Sequence, residues 1–167
     1  KLQALEQTVA DYLAVGVTTT QNGKASFNDL DILEAGMAAQ TLKCRVVIWL
    51  GWQDHLRALN GERDVNPMAS DMIIPGAAKI FADGSIPGYT GYLTAPYHTP
   101  YYGDDQYCGY PLYPPEELAS IVADLHARKQ QIAIHGNGDA AIDDILAAFE
   151  AAHRANPRSD TRHIIVH

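Results

Sequence analysis

The sequence has little of what marks several classes of protein. Its 167 residues include two cysteines, Cys44 and Cys108, whose spacing indicates neither a zinc knuckle nor a disulfide-dense scaffold. The net charge is -8 and no long run of Lys and Arg occurs, which argues against a nucleic-acid surface. No apolar run approaches the about 18 residues of a membrane span. The first residues predict a helix, not a basic-then-apolar leader.

The two cysteines also indicate the redox state of the compartment in which the protein is expected. Cys44 abuts an apolar run, which indicates a buried thiol, and Cys108 lies in a tyrosine-rich stretch. A disulfide between the two stays open, although the composition is that of a globular protein that needs no such link. We therefore expect a reducing, cytoplasmic compartment and no nucleic-acid or membrane partner.

Apolar runs alternate with amphipathic segments along the chain. The runs predict strands and the three- and four-residue periodicity predicts helices. Strands are predicted at 17–20, 45–50, 77–82, 131–135 and 163–167, and helices at 2–15, 28–42, 115–129 and 139–156. Such alternation, with strands apolar on both faces, is typical of a parallel sheet covered by helices. We therefore predict one α/β segment that spans residues 1–167.

Local signals refine this pattern. Asn22-Gly23 predicts a turn, and Asn28 predicts the N-cap of the second helix. Residues 52–75 are ambiguous: 54–59 favours a helical turn, and Asn66-Pro67 and Pro75-Gly76 favour turns. Neither G-x-G-x-x-G nor a P-loop follows a predicted strand, which argues against a doubly wound domain that binds a phosphorylated ligand.

A long stretch without a predicted element, residues 83–114, is rich in tyrosine. Tyr89, Tyr92 and Tyr97 lie in its first half, among several glycines and prolines. Structureless loops of this length are uncommon and often act as lids or binding loops. A substrate-binding loop and a loop that only packs on the surface both remain open.

Three side chains share one predicted edge of the sheet. Lys79 lies in the third strand, His135 ends the fourth and His167 ends the fifth. Carboxyl ends of neighbouring parallel strands meet at one edge, where α/β enzymes place their chemistry. Neutral imidazoles bind divalent metals there. A buried lysine loses its proton readily, and its neutral amine can add carbon dioxide to form a metal-bridging carbamate. The alternatives for Lys79 are a side chain that extends its amine to solvent, or a buried salt bridge to Asp83.

Other polar residues near these strands have plainer interpretations. Asp83 follows the third strand, so it either supports Lys79, contacts substrate or forms an Asp-Gly turn. Asp139 is expected to cap the helix that begins there. Arg162 and His163 precede the last strand and are expected to be solvated.

The motifs together resemble a known family. Residues 76–97 read GAAKIFADGSIPGYTGYLTAPY, residues 134–152 read IHGNGDAAIDDILAAFEAA, and residues 162–167 read RHIIVH. In this order they resemble the amidohydrolase superfamily, in the branch of metal-dependent hydrolases that includes N-substituted formamide deformylases. The resemblance covers most of the chain from Gly16 onward.

The resemblance implies a parallel-stranded partial TIM (β/α)8 barrel, about the second to sixth strands. It also implies that Lys79 matches a lysine that is often carboxylated, and that His135 and His167 match histidine ligands of one or two metal ions, commonly zinc. The implied reaction is hydrolysis of a non-peptide, amide-like C–N bond in a small molecule by metal-activated water.

The sequence also departs from the family pattern. The first-strand H-x-H pair and the eighth-strand aspartate are absent, and Val166 stands where a glutamate is usual. We therefore interpret the chain as a central fragment, and expect weak or no metal binding and no turnover in isolation. The alternative is a non-catalytic half-barrel module that self-associates through its exposed edges into a homo-oligomer.

Overall fold

The computed structural model describes residues 1–65 and 71–167, and contacts divide the chain into two compact units, Lys1–Ala78 and Lys79–His167. The turn predicted at Asn66-Pro67 lies outside the described residues. Each three-stranded sheet is covered in the α/β manner that the sequence predicts. The prediction of one continuous α/β segment stays a prediction.

The first unit has a sheet in the order β1-β2-β3. Its elements are α1 (Leu2–Ala14), β1 (Thr19–Ala25), α2 (Phe27–Ala38), β2 (Arg45–Leu50), α3 (Trp52–Leu59) and β3 (Ile73–Pro75). The strands pair in parallel, β1 with β2 and β2 with β3. The core between sheet and helices contains Leu30, Leu33, Cys44, Val46 and Ile48. Parallel α/β architecture is therefore confirmed here.

Local structure in this unit differs from the sequence prediction at Asn22-Gly23, at the cap of the second helix, and at Pro75, which ends β3 instead of forming a turn with Gly76. Asn22 and Gly23 lie inside β1, whose pairing with β2 changes register between Asn22 and Ala25, because the strand absorbs the irregularity as a bulge. The N-cap of α2 is Ser26, not Asn28. Its hydroxyl accepts from the Asp29 backbone N–H while the Asp29 carboxylate accepts from the Ser26 N–H, a reciprocal capping box.

Both cysteines are free thiols in this structure. Cys44 is 1% exposed, as predicted from its apolar neighbours. Its sulfur lies near the carbonyl oxygens of Val17 and Arg45, so it packs between the start of β2 and the chain that precedes β1. Cys108 is half-buried.

The second unit is built on a sheet in the order β4-β5-β6. Its elements are β4 (Ala78–Phe81), the connection at 82–114, α4 (Pro115–Ala127), β5 (Ile132–His135), α5 (Asp139–Ala155) and β6 (Ile164–Val166). β5 and β6 are parallel, and the Ala82 N–H donates to the His135 carbonyl at 2.8 Å. The residue after β4 therefore lies beside the last residue of β5.

Helices α4 and α5 pack against each other, and α4 contacts β5. The buried face of α4 contains Leu118, Ile121, Val122 and Leu125, as the periodicity predicts. The buried face of α5 is mostly alanine with Ile145, whereas Leu146, predicted on that face, is 52% exposed. Small side chains let this helix approach its neighbours closely. No helix in the described parts of the chain is both long and apolar enough to cross a membrane.

Candidate metal site

The structure brings two of the three predicted ligands together. His135 is the last residue of β5 and His167 follows β6 directly. Their ring centroids are 4.7 Å apart, with the planes at 81°. His135 is 9% exposed, whereas His167 is exposed. Because β5 and β6 are parallel neighbours, the pair lies at the carboxyl edge of the sheet, where the sequence places it.

Lys79, the third predicted ligand, is buried in the adjacent strand β4 and is 5% exposed. Its Nζ donates to the Ile80 carbonyl at 3.1 Å and lies 4.1 Å from the centroid of the Phe81 ring. The Phe81 ring in turn contacts the His135 ring, with centroids 5.0 Å apart. Lys79 is thus a buried amine over an aromatic face, which is a costly place for a charge unless it is compensated.

The two ring nitrogens of His135 have different surroundings. Nε2 lies 2.7 Å from the Gly84 carbonyl oxygen, a contact that requires an N–H between them. Asp83 Oδ1 lies 3.5 Å from the same nitrogen, and the Asn137 side-chain amide also donates to Gly84. The 2.7 Å contact with the Gly84 carbonyl favours a proton on Nε2 of neutral His135, while the Asn137 side-chain nitrogen lies 3.2 Å from that same atom. Nδ1 makes no hydrogen bond within residues 1–65 and 71–167.

Asp83 is fully buried, and its oxygens accept backbone N–H groups from two segments. Oδ1 accepts from Asn137 at 2.9 Å. Oδ2 accepts from Tyr92 at 2.9 Å and from Gly138 at 2.8 Å. The carboxylate thus joins the end of β4, the connection after it and the turn between β5 and α5.

The tyrosine-rich connection is fixed to that turn by further contacts. Asp139 does not cap α5, whose N-cap is Gly138; instead its carboxylate accepts from the backbone N–H and the hydroxyl of Thr94. These hydrogen bonds, that from the hydroxyl first, lower the pKa of Asp139. The Ala141 N–H donates to the Tyr92 carbonyl. The first half of the connection is therefore packed structure, not a free loop.

The predicted substrate tyrosines lie in this packed half and are half-buried. The Tyr89 and Tyr97 rings are in contact, with centroids 4.9 Å apart, and the Tyr97 hydroxyl donates to the Gly91 carbonyl. Burial raises the pKa of Tyr97 above its ordinary value. Tyr101 and Tyr107 extend the stack. These rings therefore form one aromatic cluster within the connection.

A second histidine pair, missed at the sequence level, lies at the amino ends of β5 and β6. His126 Nδ1 is 3.0 Å from His163 Nε2, and His126 Nε2 is 2.8 Å from the Asn156 carbonyl. The Ile132 N–H donates to His163 Nδ1. His163 is therefore half-buried and not solvated as expected. The signal that could have found the pair is the position of His126, four residues after Val122 on the buried face of α4.

The donor set fits a divalent metal in kind but is incomplete. Within residues 1–65 and 71–167, no group of three or more His, Cys, Asp and Glu side chains could hold a metal ion. Two imidazoles in contact are suitable donors, and the buried Lys79 lies in the neighbouring strand with its Nζ over the Phe81 ring that contacts His135. Catalytic zinc sites, however, have three protein ligands. Carboxylation of Lys79 would add an anionic oxygen to the pair.

Comparisons with known proteins agree with these motifs. The model of the amidohydrolase family matches residues 1–167. YtcJ of Bacillus subtilis (strain 168), which bears the name of an amidohydrolase, is 28% identical over 106 residues, covering 64% of this chain and 19% of that protein. The chain thus spans about a fifth of the length of that relative.

Solved structures show the same fold. An uncharacterized metal-dependent hydrolase from Pyrococcus horikoshii OT3 superposes with a TM-score of 0.71 at 21% identity, covering 90% of this chain and 30% of that one. Its counterpart from Pyrococcus furiosus gives a TM-score of 0.69 at 23% identity, with coverage of 91% and 31%. Because the family model matches the whole sequence, we conclude that this chain belongs to the amidohydrolase family.

Proposed function

We propose that this chain is part of a metal-dependent hydrolase that cleaves a non-peptide, amide-like C–N bond. The observation that carries the proposal is the contact between the rings of His135 and His167 at the carboxyl edge, with Nδ1 of His135 left for a ligand. Membership of the amidohydrolase family supports hydrolysis, and the two Pyrococcus neighbours are named as metal-dependent hydrolases.

In this proposal His135, His167 and Lys79 hold one or two divalent ions, zinc first among them. Burial disfavours the charged ammonium of Lys79. The neutral amine would add carbon dioxide and release a proton, which gives a carbamate whose oxygens bind metal. Further ligands would come from strands outside these residues, since the chain spans under a third of each solved neighbour.

Bound metal would supply Lewis acidity, lowering the pKa of a water molecule and polarising the carbonyl of the substrate. The residues of this chain would position the His135 ring and the substrate. The Gly84 carbonyl holds His135 through its Nε2–H, and the packed turn at 136–138 keeps that ring at the edge. The contact between the Tyr89 and Tyr97 rings, in the same connection as Tyr92, would favour a substrate with an apolar or aromatic group, as an N-substituted formamide has.

The deciding experiment is hydrolysis by the polypeptide extended by its neighbouring coding sequence, tested on N-substituted formamides and other simple amides, with zinc stoichiometry measured in parallel. We expect zinc-dependent turnover that His135→Ala and His167→Ala abolish and that His98→Ala, a change at an exposed histidine, leaves intact.

Two outcomes would overturn parts of this proposal. Robust turnover by the 167 residues alone would contradict the fragment interpretation. Stable oligomers of the extended polypeptide that contain no zinc and have no activity would favour the competing function, a module that self-associates.

A further inference from the structure

Asp83 is a buried carboxylate whose hydrogen-bond partners are all backbone amides. It is 0% exposed, and it accepts from the N–H groups of Tyr92, Asn137 and Gly138. Three such donors compensate a buried negative charge without a cationic partner. Two of them lie at the N-terminus of α5, where the helix dipole favours an anion. With no exposed surface and both oxygens engaged, Asp83 has no means of contacting substrate.

The surrounding backbone leaves Asp83 little freedom to move. A Cβ atom on Gly138 would lie 1.7 Å from the Tyr92 carbonyl oxygen, so the two segments that Asp83 joins are in direct backbone contact. The turn at 136–138 is therefore held from two sides, and it begins at the residue after His135. The position of the carboxylate fixes the path of the chain that leaves the candidate ligand.

The same carboxylate also faces His135. Its Oδ1 is 3.5 Å from Nε2, and the Gly84 carbonyl oxygen is 2.7 Å from that nitrogen. A lone pair on Nε2 would be repelled by both oxygen atoms, and the Asn137 side-chain amide, 3.2 Å from Nε2, is the one group among the described residues that could donate to it. The Gly84 oxygen at 2.7 Å is closer than that amide and carries the full repulsion. A proton there is attracted by both oxygen atoms. The tautomer of His135 with hydrogen on Nε2 and a lone pair on Nδ1 is therefore favoured by Asp83 and Gly84 together.

We propose that Asp83 is a positioning residue that holds His135 as the Nε2–H tautomer and so directs Nδ1 to the metal. The step to the metal rests on the proposed function, whereas the choice of tautomer does not. Groups around the remote nitrogen of a metal-binding histidine fix its tautomer: here the Gly84 carbonyl makes the hydrogen bond and Asp83 adds a negative charge at 3.5 Å. Loss of such outer groups typically weakens metal affinity about 10- to 100-fold.

The isosteric substitution Asp83→Asn makes a directional prediction. An asparagine has one acceptor oxygen and one NH2 group, and the NH2 must take the place of one carboxylate oxygen. At the Oδ2 position it would oppose two N–H donors, those of Tyr92 and Gly138, but at the Oδ1 position it opposes only that of Asn137. The NH2 therefore takes the Oδ1 position, which faces His135 Nε2. The Nε2–H tautomer then has only the Gly84 carbonyl in its favour, so the share of the Nδ1–H tautomer rises.

The experiment is long-range ¹H–¹⁵N NMR of the histidine rings in the metal-free 167-residue chain, at a pH where the rings are neutral. We expect His135 to be the Nε2–H tautomer in the wild type and to show a substantial Nδ1–H share in Asp83→Asn. The matched control is Asp139→Asn. Asp139 also holds the tyrosine-rich connection, through Thr94, but has no contact with His135, so its variant keeps the wild-type tautomer.

Each outcome is decisive. Wild-type His135 as the Nδ1–H tautomer overturns the proposal without any variant, which protects the test if Asp83→Asn fails to fold. An unchanged tautomer in folded Asp83→Asn overturns it, and so does an equal change in Asp139→Asn, because both would assign Asp83 a merely structural role. Zinc added afterwards separates the two proposals: no zinc response at His135 in the wild type or in the extended polypeptide counts against the function and leaves the tautomer result standing.

Discussion

Two histidine pairs lie at opposite ends of β5 and β6, and they differ in how their ring nitrogens are used. At the amino ends, all four nitrogens of His126 and His163 have hydrogen-bond partners. At the carboxyl ends, the rings of His135 and His167 are in contact, and Nδ1 of His135 has no hydrogen-bond partner within the described residues. The first pair joins helices and strands through hydrogen bonds, whereas the second leaves Nδ1 of His135 without a hydrogen bond among the described residues.

The hydrogen bonds at the amino ends fix both tautomers of that pair. The Ile132 N–H makes His163 Nδ1 an acceptor, so the proton of neutral His163 lies on Nε2. That proton is donated to His126 Nδ1, and His126 Nε2–H is donated to the Asn156 carbonyl. The chain links α4, the end of α5 and the starts of two strands. Adding a proton to either ring would place two donors face to face.

Among the substitutions that test this comparison, His126→Ala is expected to cause the largest loss of stability. The change leaves the Asn156 carbonyl and His163 Nε2–H without partners and opens a cavity at a residue that is 1% exposed. We expect a loss of about 2–4 kcal/mol in the free energy of unfolding. Urea denaturation of the 167-residue chain measures it, with exposed His98→Ala as the control. A loss below about 0.5 kcal/mol, the usual range of surface substitutions, would contradict a structural role.

At the carboxyl edge, the backbone of Gly138 packs against that of Tyr92, and Gly138→Ala tests this contact. The backbone at Gly138 has φ −80°, which alanine adopts readily, so a loss of stability would come from the clash between Cβ and the Tyr92 carbonyl. We expect about 1–3 kcal/mol of destabilisation, typical of overpacking. Gly103→Ala, at a position with no atom within 4 Å of its Cβ but with φ +87°, reports the cost of backbone strain alone. Equal stability of Gly138→Ala and wild type would show that the Tyr92 backbone moves away from the added Cβ at little cost.

The comparison also shows what sequence patterns can reveal. Strand–helix alternation predicts most elements, and a histidine at the end of a buried strand predicts the place of His135. At the amino ends, the helical spacing from Val122 marks His126 as buried, but its partner His163 lies 37 residues away and no local pattern identifies it. The three N–H bonds of Asp83 are hidden for the same reason, since their donors lie 9 to 55 residues away. Ser26 was predictable, because Ser26 and Asp29 form the S-x-x-D spacing of a capping box.

Low pH should reduce the stability contributed by the histidine pair at the amino ends of β5 and β6. Burial first, then the charges of His126, Arg158 and His153, lower the pKa of His163 from 6.5 to about 4. Because the folded pKa is depressed, the unfolded chain binds more protons between these values. The stabilisation is therefore complete above pH 6.5 and is lost as the pH falls to about 4.

The size of this effect is about 1–2 kcal/mol after allowance for the partial exposure of His163. His163→Gln keeps an acceptor for the Ile132 N–H but does not titrate. The difference in unfolding free energy between wild type and this variant, measured by urea at pH 7 and at pH 4.5, isolates the contribution of His163 from that of the carboxylates. A difference that does not change with pH would show that His163 is not the acid-sensitive group.

The smallest expected effect is stabilisation by added zinc, which tests the His135–His167 pair. A ligand that binds only the folded state stabilises it by RT ln(1 + [L]/Kd), about 1 kcal/mol when free zinc is about five times Kd. Two imidazoles without a full set of ligands bind weakly, so high micromolar zinc is needed to reach that ratio. His135→Ala should remove the stabilisation, whereas His163→Gln should retain it, because the nitrogens at the amino ends are already committed to hydrogen bonds. Equal stabilisation of His135→Ala and wild type would place the bound zinc elsewhere and remove the distinction between the two pairs.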